Sequence, residues 1–158
     1  MTELEITVEA LKRCVNPKTL AKAMAEVRNA PPARKREVHP AELRANIQNL
    51  LIRIGVPASV GGFRFLTTGI ELMVEDPDLA HHVTKGLYPA VGELYGTDWR
   101  KVERGIRHAI EIAFERGDAD EQRAVFGGTI HPQKGKVTNA AFLSVTAMFV
   151  RQELGLNK

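Results

Sequence analysis

The sequence predicts an all-α protein, and three observations predict it. From Pro40 onward, apolar residues recur at the three-and-four spacing of helices in one segment after another. Those segments end in helix-stopping residues, among them Gly55 with Pro57 just beyond, then Pro77, Gly96 and Gly117. Aromatic residues make up 6% of the 158-residue chain, which favours aliphatic helix packing over a sheet sandwich.

Residues 1–29 read as a short N-terminal helical segment, with one strand as an open alternative. LEITV alternates apolar and polar residues as a strand does, yet Leu4, Val8, Leu11 and Val15 also form a helical stripe. Asn16 as cap and Pro17 at the first helical position then open a clearer helix, which carries Leu20, Ala23, Met24 and Val27 on one side and stops before Pro31. The segment is a candidate dimerisation element. Residues 30–40 combine a proline pair with Arg34, Lys35 and Arg36, have little to bury, and read as an exposed linker.

Residues 41–158 form the main domain. AELRANIQNLLIRIG places Leu43, Ile47, Leu50, Leu51 and Ile54 on one helical face and stops at Gly55. GGFRFLTTGIELMVEDP supplies Phe65, Leu66, Ile70, Met73 and Val74 for the next helix, closed by Pro77. DLAHHVTKGLYPAVGELYG predicts a short helix and a second one ending near Gly96. Thr97 caps a long helix to Arg116, with Gly117 at its C-cap. A short helix over Asp118 to Phe126, the turn-rich loop GGTIHPQKGK, and a last apolar helix capped by Thr138 or Asn139 complete the chain.

Composition narrows the function classes. A net charge of +3 permits an anionic partner without demanding one, so charge placement decides. Cys14 is the only cysteine, which excludes an internal disulfide and a cysteine-rich zinc site. No run approaches the ~18 apolar residues of a membrane span, and the N-terminus lacks the layout of a secretion signal, so the expected address is the cytoplasm, away from membranes.

The long helix carries the clearest functional signal. At about 100° per residue, Val102, Ile106, Ala109, Ile110 and Ala113 fall on one stripe, while Arg100, Lys101, Arg104, Arg107 and His108 gather opposite. Before it, Gly92 and Gly96 stand where a helix-turn-helix needs a small residue and a turn glycine, and Val91, Tyr95, Val102 and Ile106 can lock the pair. In such a motif the second helix enters the major groove of double-stranded DNA and its N-terminal half reaches base edges. Arg100, Lys101, Glu103 and Arg104 occupy that half as base-reading candidates, since arginine pairs with guanine and a carboxylate accepts from cytosine N4. Thr97 at the helix start, and Arg107 and His108 a turn further on, are candidates for backbone contacts.

These residues carry a resemblance. IGVPASVGGFRFL, TKGLYPAVGELYG, RKVERGIRHAIEIAFERGDAD and FGGTIHPQKGKVTN are similar to the DNA-binding effector domain of the stage-zero sporulation protein A family of response regulators, from about Ile47 to Leu154. The resemblance implies a six-helix effector domain that binds short boxes as tandem homodimers, with RNA polymerase as a further candidate partner. It places base reading on Lys101, Glu103 and Arg104, backbone contacts on Arg107 and His108, and flanking basic positions on Lys134 and Lys136. Two departures stand out. Lys101 replaces an expected arginine, a point charge in place of a planar fork, and Val137 replaces a proline that would stiffen the loop. Family members also carry a receiver domain of roughly 120 residues, the size of an ordinary domain; no acidic phosphoacceptor cluster precedes this region, so phosphorylation control within the chain is not expected.

Other chemistry is poorly represented. His81 and His82 are adjacent and diverge by roughly 100° on a helix, unlike an i, i+4 metal pair. GGTIHPQKGK lacks the GxxxxGK[ST] order of a nucleotide loop, and Ser59 and Ser144 stand in no nucleophile motif. The expectation is a non-enzymatic, cofactor-free DNA-binding regulator. A protein-interaction module that antagonises a full-length regulator is the alternative.

Overall fold

The computed structural model describes residues 37–156. The helix-or-strand segment of residues 1–29, its dimerisation role and most of the linker lie outside the described residues. Among the described residues there are six α-helices and no strand: α1 (Pro40–Ile54), α2 (Gly61–Glu75), α3 (Tyr88–Tyr95), α4 (Trp99–Arg116), α5 (Ala119–Phe126) and α6 (Asn139–Glu153).

Helix α2 is the centre because its sequence is apolar nearly all round. It buries Phe63, Phe65, Leu66, Ile70, Met73 and Val74, and packs against α4, α6 and α1. Its two buried hydroxyls are satisfied: Thr67 donates to the Phe63 carbonyl at 2.9 Å, and Thr68 shares a hydrogen bond of 2.6 Å with the Tyr95 phenol. Against α4 the backbones nearly touch. A Cβ at Gly62 would lie 2.0 Å from the Gly105 carbonyl oxygen, so this crossing admits only glycine.

Helix α1 buries the stripe its spacing marks, Leu43, Ile47, Leu50, Leu51 and Ile54. His39 caps it, with Nδ1 accepting the Ala41 N–H at 3.1 Å. It ends in left-handed Gly55 at φ 113°, and the Val56 N–H closes back on the Leu51 carbonyl at 2.9 Å. Helix α6 lays Phe142, Leu143, Ala147 and Val150 into the same core. Of its two candidate caps, Thr138 is the one, accepting the Ala141 N–H at 3.2 Å.

Two local expectations need correction. The short helix before α3 is instead a 3-10 turn, Pro77–His81, followed by a π-turn, Val83–Leu87, that runs directly into α3. The cap of α4 is Asp98, not Thr97: Asp98 Oδ1 accepts the Arg100 N–H at 2.7 Å. Thr97 is already committed to the turn, its N–H held by the Gly92 carbonyl at 2.8 Å, so the helix starts one residue later. Aspartate also suits the positive end of the helix dipole.

Gly117 closes α4 as its C-cap, with extended backbone (φ −79°, ψ 173°). Its glycine answers a close approach, since a Cβ there would sit 2.3 Å from the Ile54 carbonyl oxygen. At this junction the buried Gln122 amide donates to the Ile54 carbonyl at 3.0 Å and to the Ala113 carbonyl at 2.6 Å. One side chain thereby satisfies carbonyls near the C-terminal ends of both α1 and α4.

Removing that amide leaves two buried acceptors without this donor. Gln122→Ala is expected to destabilise the domain by about 1–3 kcal/mol, read as a lower urea midpoint with an unchanged slope. An unshifted midpoint would mean that the junction does not depend on the glutamine.

Candidate nucleic-acid interface

Helices α3 and α4 form the helix-turn-helix. Gly96 takes φ 63° and its N–H bonds the Glu93 carbonyl, while the following Thr97 N–H bonds Gly92, which together reverse the chain in a tight glycine-closed turn. Gly92 is required for a different reason: a Cβ there would lie 2.6 Å from the Thr97 carbonyl oxygen. Val91, Val102 and Ile106 are fully buried between the two helices and the core. The apolar stripe of α4 is sealed, so its opposite side must face outward.

That outward side is cationic at its N-terminal half. Arg100, Lys101, Arg104, Arg107 and His108 are all exposed, whereas the same face continues with Glu111 and Glu115. Lys101 and Arg104 have no ion pair among the described residues; the Arg104 Nε reaches only the Arg100 carbonyl, at 3.5 Å. Arg100 lies over the Trp99 ring, 5.2 Å from its centroid, and 3.9 Å from the Asp98 carboxylate. Trp99 itself is half-buried and packs against the core.

Two candidates are coupled to each other. Glu103 and Arg107 form an i, i+4 ion pair on the helix surface. The Arg107 side chain is 55% exposed, so the pair is worth only about 0.3–0.5 kcal/mol and exchanges readily for a stronger anion. The Glu103 carboxylate is freed for another donor by the same exchange.

Beside this pair lies a cleft of about 590 Å³ between α4, the loop after α5 and the start of α6. Arg107, Lys134 and Lys136 line it together with His131. His131 shapes the loop, its Nδ1 accepting the N–H groups of Gln133 and Lys134 at 3.2 Å each. Val137, in place of the stiffening proline, is buried in the core and anchors the loop's end. Lys134 is exposed, and Lys136 holds Glu111 at 3.2 Å, which neutralises a carboxylate on the outward face. The structure thus brings Arg107 and both loop lysines to one cleft. Thr97 is half-buried in the turn, away from that group.

Sequence reasoning missed the clamp that sets α4 against this cleft. With Thr138 serving as cap, Asn139 is free to donate its amide to the Tyr88 phenol and to the Glu103 carbonyl, each at 3.2 Å. One side chain at the start of α6 therefore ties the first residue of α3 to the middle of the cationic half of α4. Burial pushes the Tyr88 phenol above its usual pKa, outweighing the Asn139 hydrogen bond and the nearby Arg107 charge, so it stays neutral. The only sequence signal was two cap-forming residues in a row where a helix uses one.

Residues 47–150 match the family model described as the C-terminal part of the sporulation initiation factor Spo0A. The match runs from within α1 to near the end of α6 and so includes the whole helix-turn-helix and the cleft.

Replacing the Asn139 amide with an acceptor is a direct test of the clamp. Asn139→Asp, which sets an oxygen against the Glu103 carbonyl, is expected to cost about 1–3 kcal/mol, against about 0.5–1.5 kcal/mol for Asn139→Ala. Equal unfolding free energies for the aspartate variant and the unaltered chain would show that the clamp is not made.

Proposed function

The chain belongs to the Spo0A C-terminal family of DNA-binding, sporulation-regulating helix-turn-helix domains, and on that premise we propose that it is a sequence-specific transcription regulator of double-stranded DNA. The observation that carries this reading is the exposed N-terminal half of α4. Its Lys101 and Arg104 have no carboxylate partner among the described residues, and the lysine-lined cleft lies beside them.

In this reading α4 enters the major groove by its N-terminal half. Arg104 pairs with guanine through its planar fork, and Arg100 reads an adjacent edge. Lys101 delivers a single charge, so discrimination at its base pair is weaker than an arginine would give. Glu103 accepts from a cytosine amine when a phosphate takes Arg107 from it, an exchange that the weakness of their ion pair permits. Arg107, His108, Lys134 and Lys136 hold phosphates, and the Thr97 turn lies at the helix end nearest the duplex. The family resemblance supports two copies on tandem boxes and contact with RNA polymerase. The reaction is binding alone, without catalysis or a cofactor, at the nucleoid.

Arg104→Ala is expected to cost about 1–3 kcal/mol on the cognate box and little on a scrambled duplex, measured by gel-shift titration at stated salt. Equal losses on both duplexes would remove Arg104 from base reading. Each neutralised phosphate contributes about −0.9 to the slope of log affinity against log salt, so Arg107, Lys134 and Lys136 together give roughly −3. A flat plot would overturn the interface.

A further inference from the structure

Resting on that DNA-binding reading, we propose that Arg64 on α2 is a second phosphate-binding group, gripping the DNA strand on the side of α4 opposite the lysine loop. Glu103 and Gly105 flank Arg104 at roughly 100° to either side of the helix axis. On the Glu103 side lie Arg107, the cleft and both loop lysines. On the Gly105 side lies the start of α2: a Cβ at Gly105 would sit 3.0 Å from the Phe65 ring. A helix seated in the major groove has a phosphate backbone along each of its flanks. The lysine loop serves one of them.

The Arg64 side chain is built to serve the other. It is exposed, and its guanidinium carbon stands 5.2 Å from the Phe65 ring centroid and 5.0 Å from that of Tyr95. It has no carboxylate partner among the described residues. The rings beneath it are themselves fixed. They meet edge to face at 5.5 Å, Phe65 is buried against α4, and the Tyr95 phenol shares a hydrogen bond with Thr68. A guanidinium held over ring faces by cation–π attraction still has N–H groups to offer a phosphate. A long side chain ordered in advance loses less freedom when the anion arrives. Tyr95 and Phe65 also touch the turn and α4 respectively, so a charge mounted on them is held in register with the reading helix.

The test titrates the family's box and a scrambled duplex with the unaltered chain, Arg64→Ala, Arg64→Gln and Arg107→Ala at several salt concentrations, with thermal midpoints recorded for each. A phosphate contact predicts that both Arg64 variants weaken binding to the two duplexes by the same factor, roughly three- to tenfold, and make the salt slope shallower by about 0.9. Their midpoints stay near that of the unaltered chain; the glutamine retains much of the stem over the rings should alanine disturb them. Unchanged affinity and slope for the Arg64 variants, with losses for Arg107→Ala, would overturn the proposal and leave the DNA-binding reading intact. A loss confined to the cognate box would make Arg64 a base reader and also overturn it. No titration by the unaltered chain would overturn the reading and the proposal with it.

Discussion

Helices α2 and α4 cross with almost nothing between their backbones, and the rest of the interface depends on that approach. Gly62 stands where any side chain would collide with the Gly105 carbonyl, and a Cβ at Gly105 would press on the Phe65 ring at 3.0 Å. Interiors packed near crystal density transmit small displacements, so a methyl group at this point would be felt along the whole of α4. Because the crossing is close, the apolar stripe from Val102 to Ala113 is sealed without gaps and the cationic side is left outside. The charge on α4 is therefore set outward by a contact made on its opposite side.

Much of this was legible in the sequence, and the reason is locality. Leu43 to Ile54 and Val102 to Ala113 advertise their burial through spacing alone, because a helix exposes or hides residues by its own period. Gly55 and Gly96 announce their turns because left-handed backbone favours glycine whatever surrounds it. What failed to show depends on surfaces meeting. Gly117 was visible as a C-cap, but not the reason for its glycine, which is the approach of Ile54 from a helix more than sixty residues earlier. Asp98 displaced Thr97 as cap because the turn before it consumed one more residue than the pattern suggested.

The candidate site divides the same way. The basic residues of α4 could be found by periodicity, and Lys134 and Lys136 by resemblance. Their gathering at one cleft with Arg107 could not be read from spacing, since it rests on how the loop folds over His131 and Val137. The Glu103 to Arg107 pair was visible as an i, i+4 spacing, but its meaning differs from a simple surface bridge. In the proposed reading it pairs a base-reading carboxylate with a phosphate-binding guanidinium. Either partner can leave it at little cost, so the pair does not hold the two groups back from an anion or a donor.

The cationic stretch of α4 is short, and that sets a limit on what one copy can know about a genome. From Arg100 to His108 it extends roughly 13 Å at ~1.5 Å per residue, before Glu111 and Glu115 change the sign of the face. At ~3.4 Å per base pair this covers about four letters, a word that chance alone repeats roughly once in every 256 positions of any long text. A lone domain of this kind can recognise a word without being able to find an address. On the proposed reading, two words at a fixed spacing would supply what one lacks, and the arithmetic of the alphabet, more than any single contact, is the argument for company.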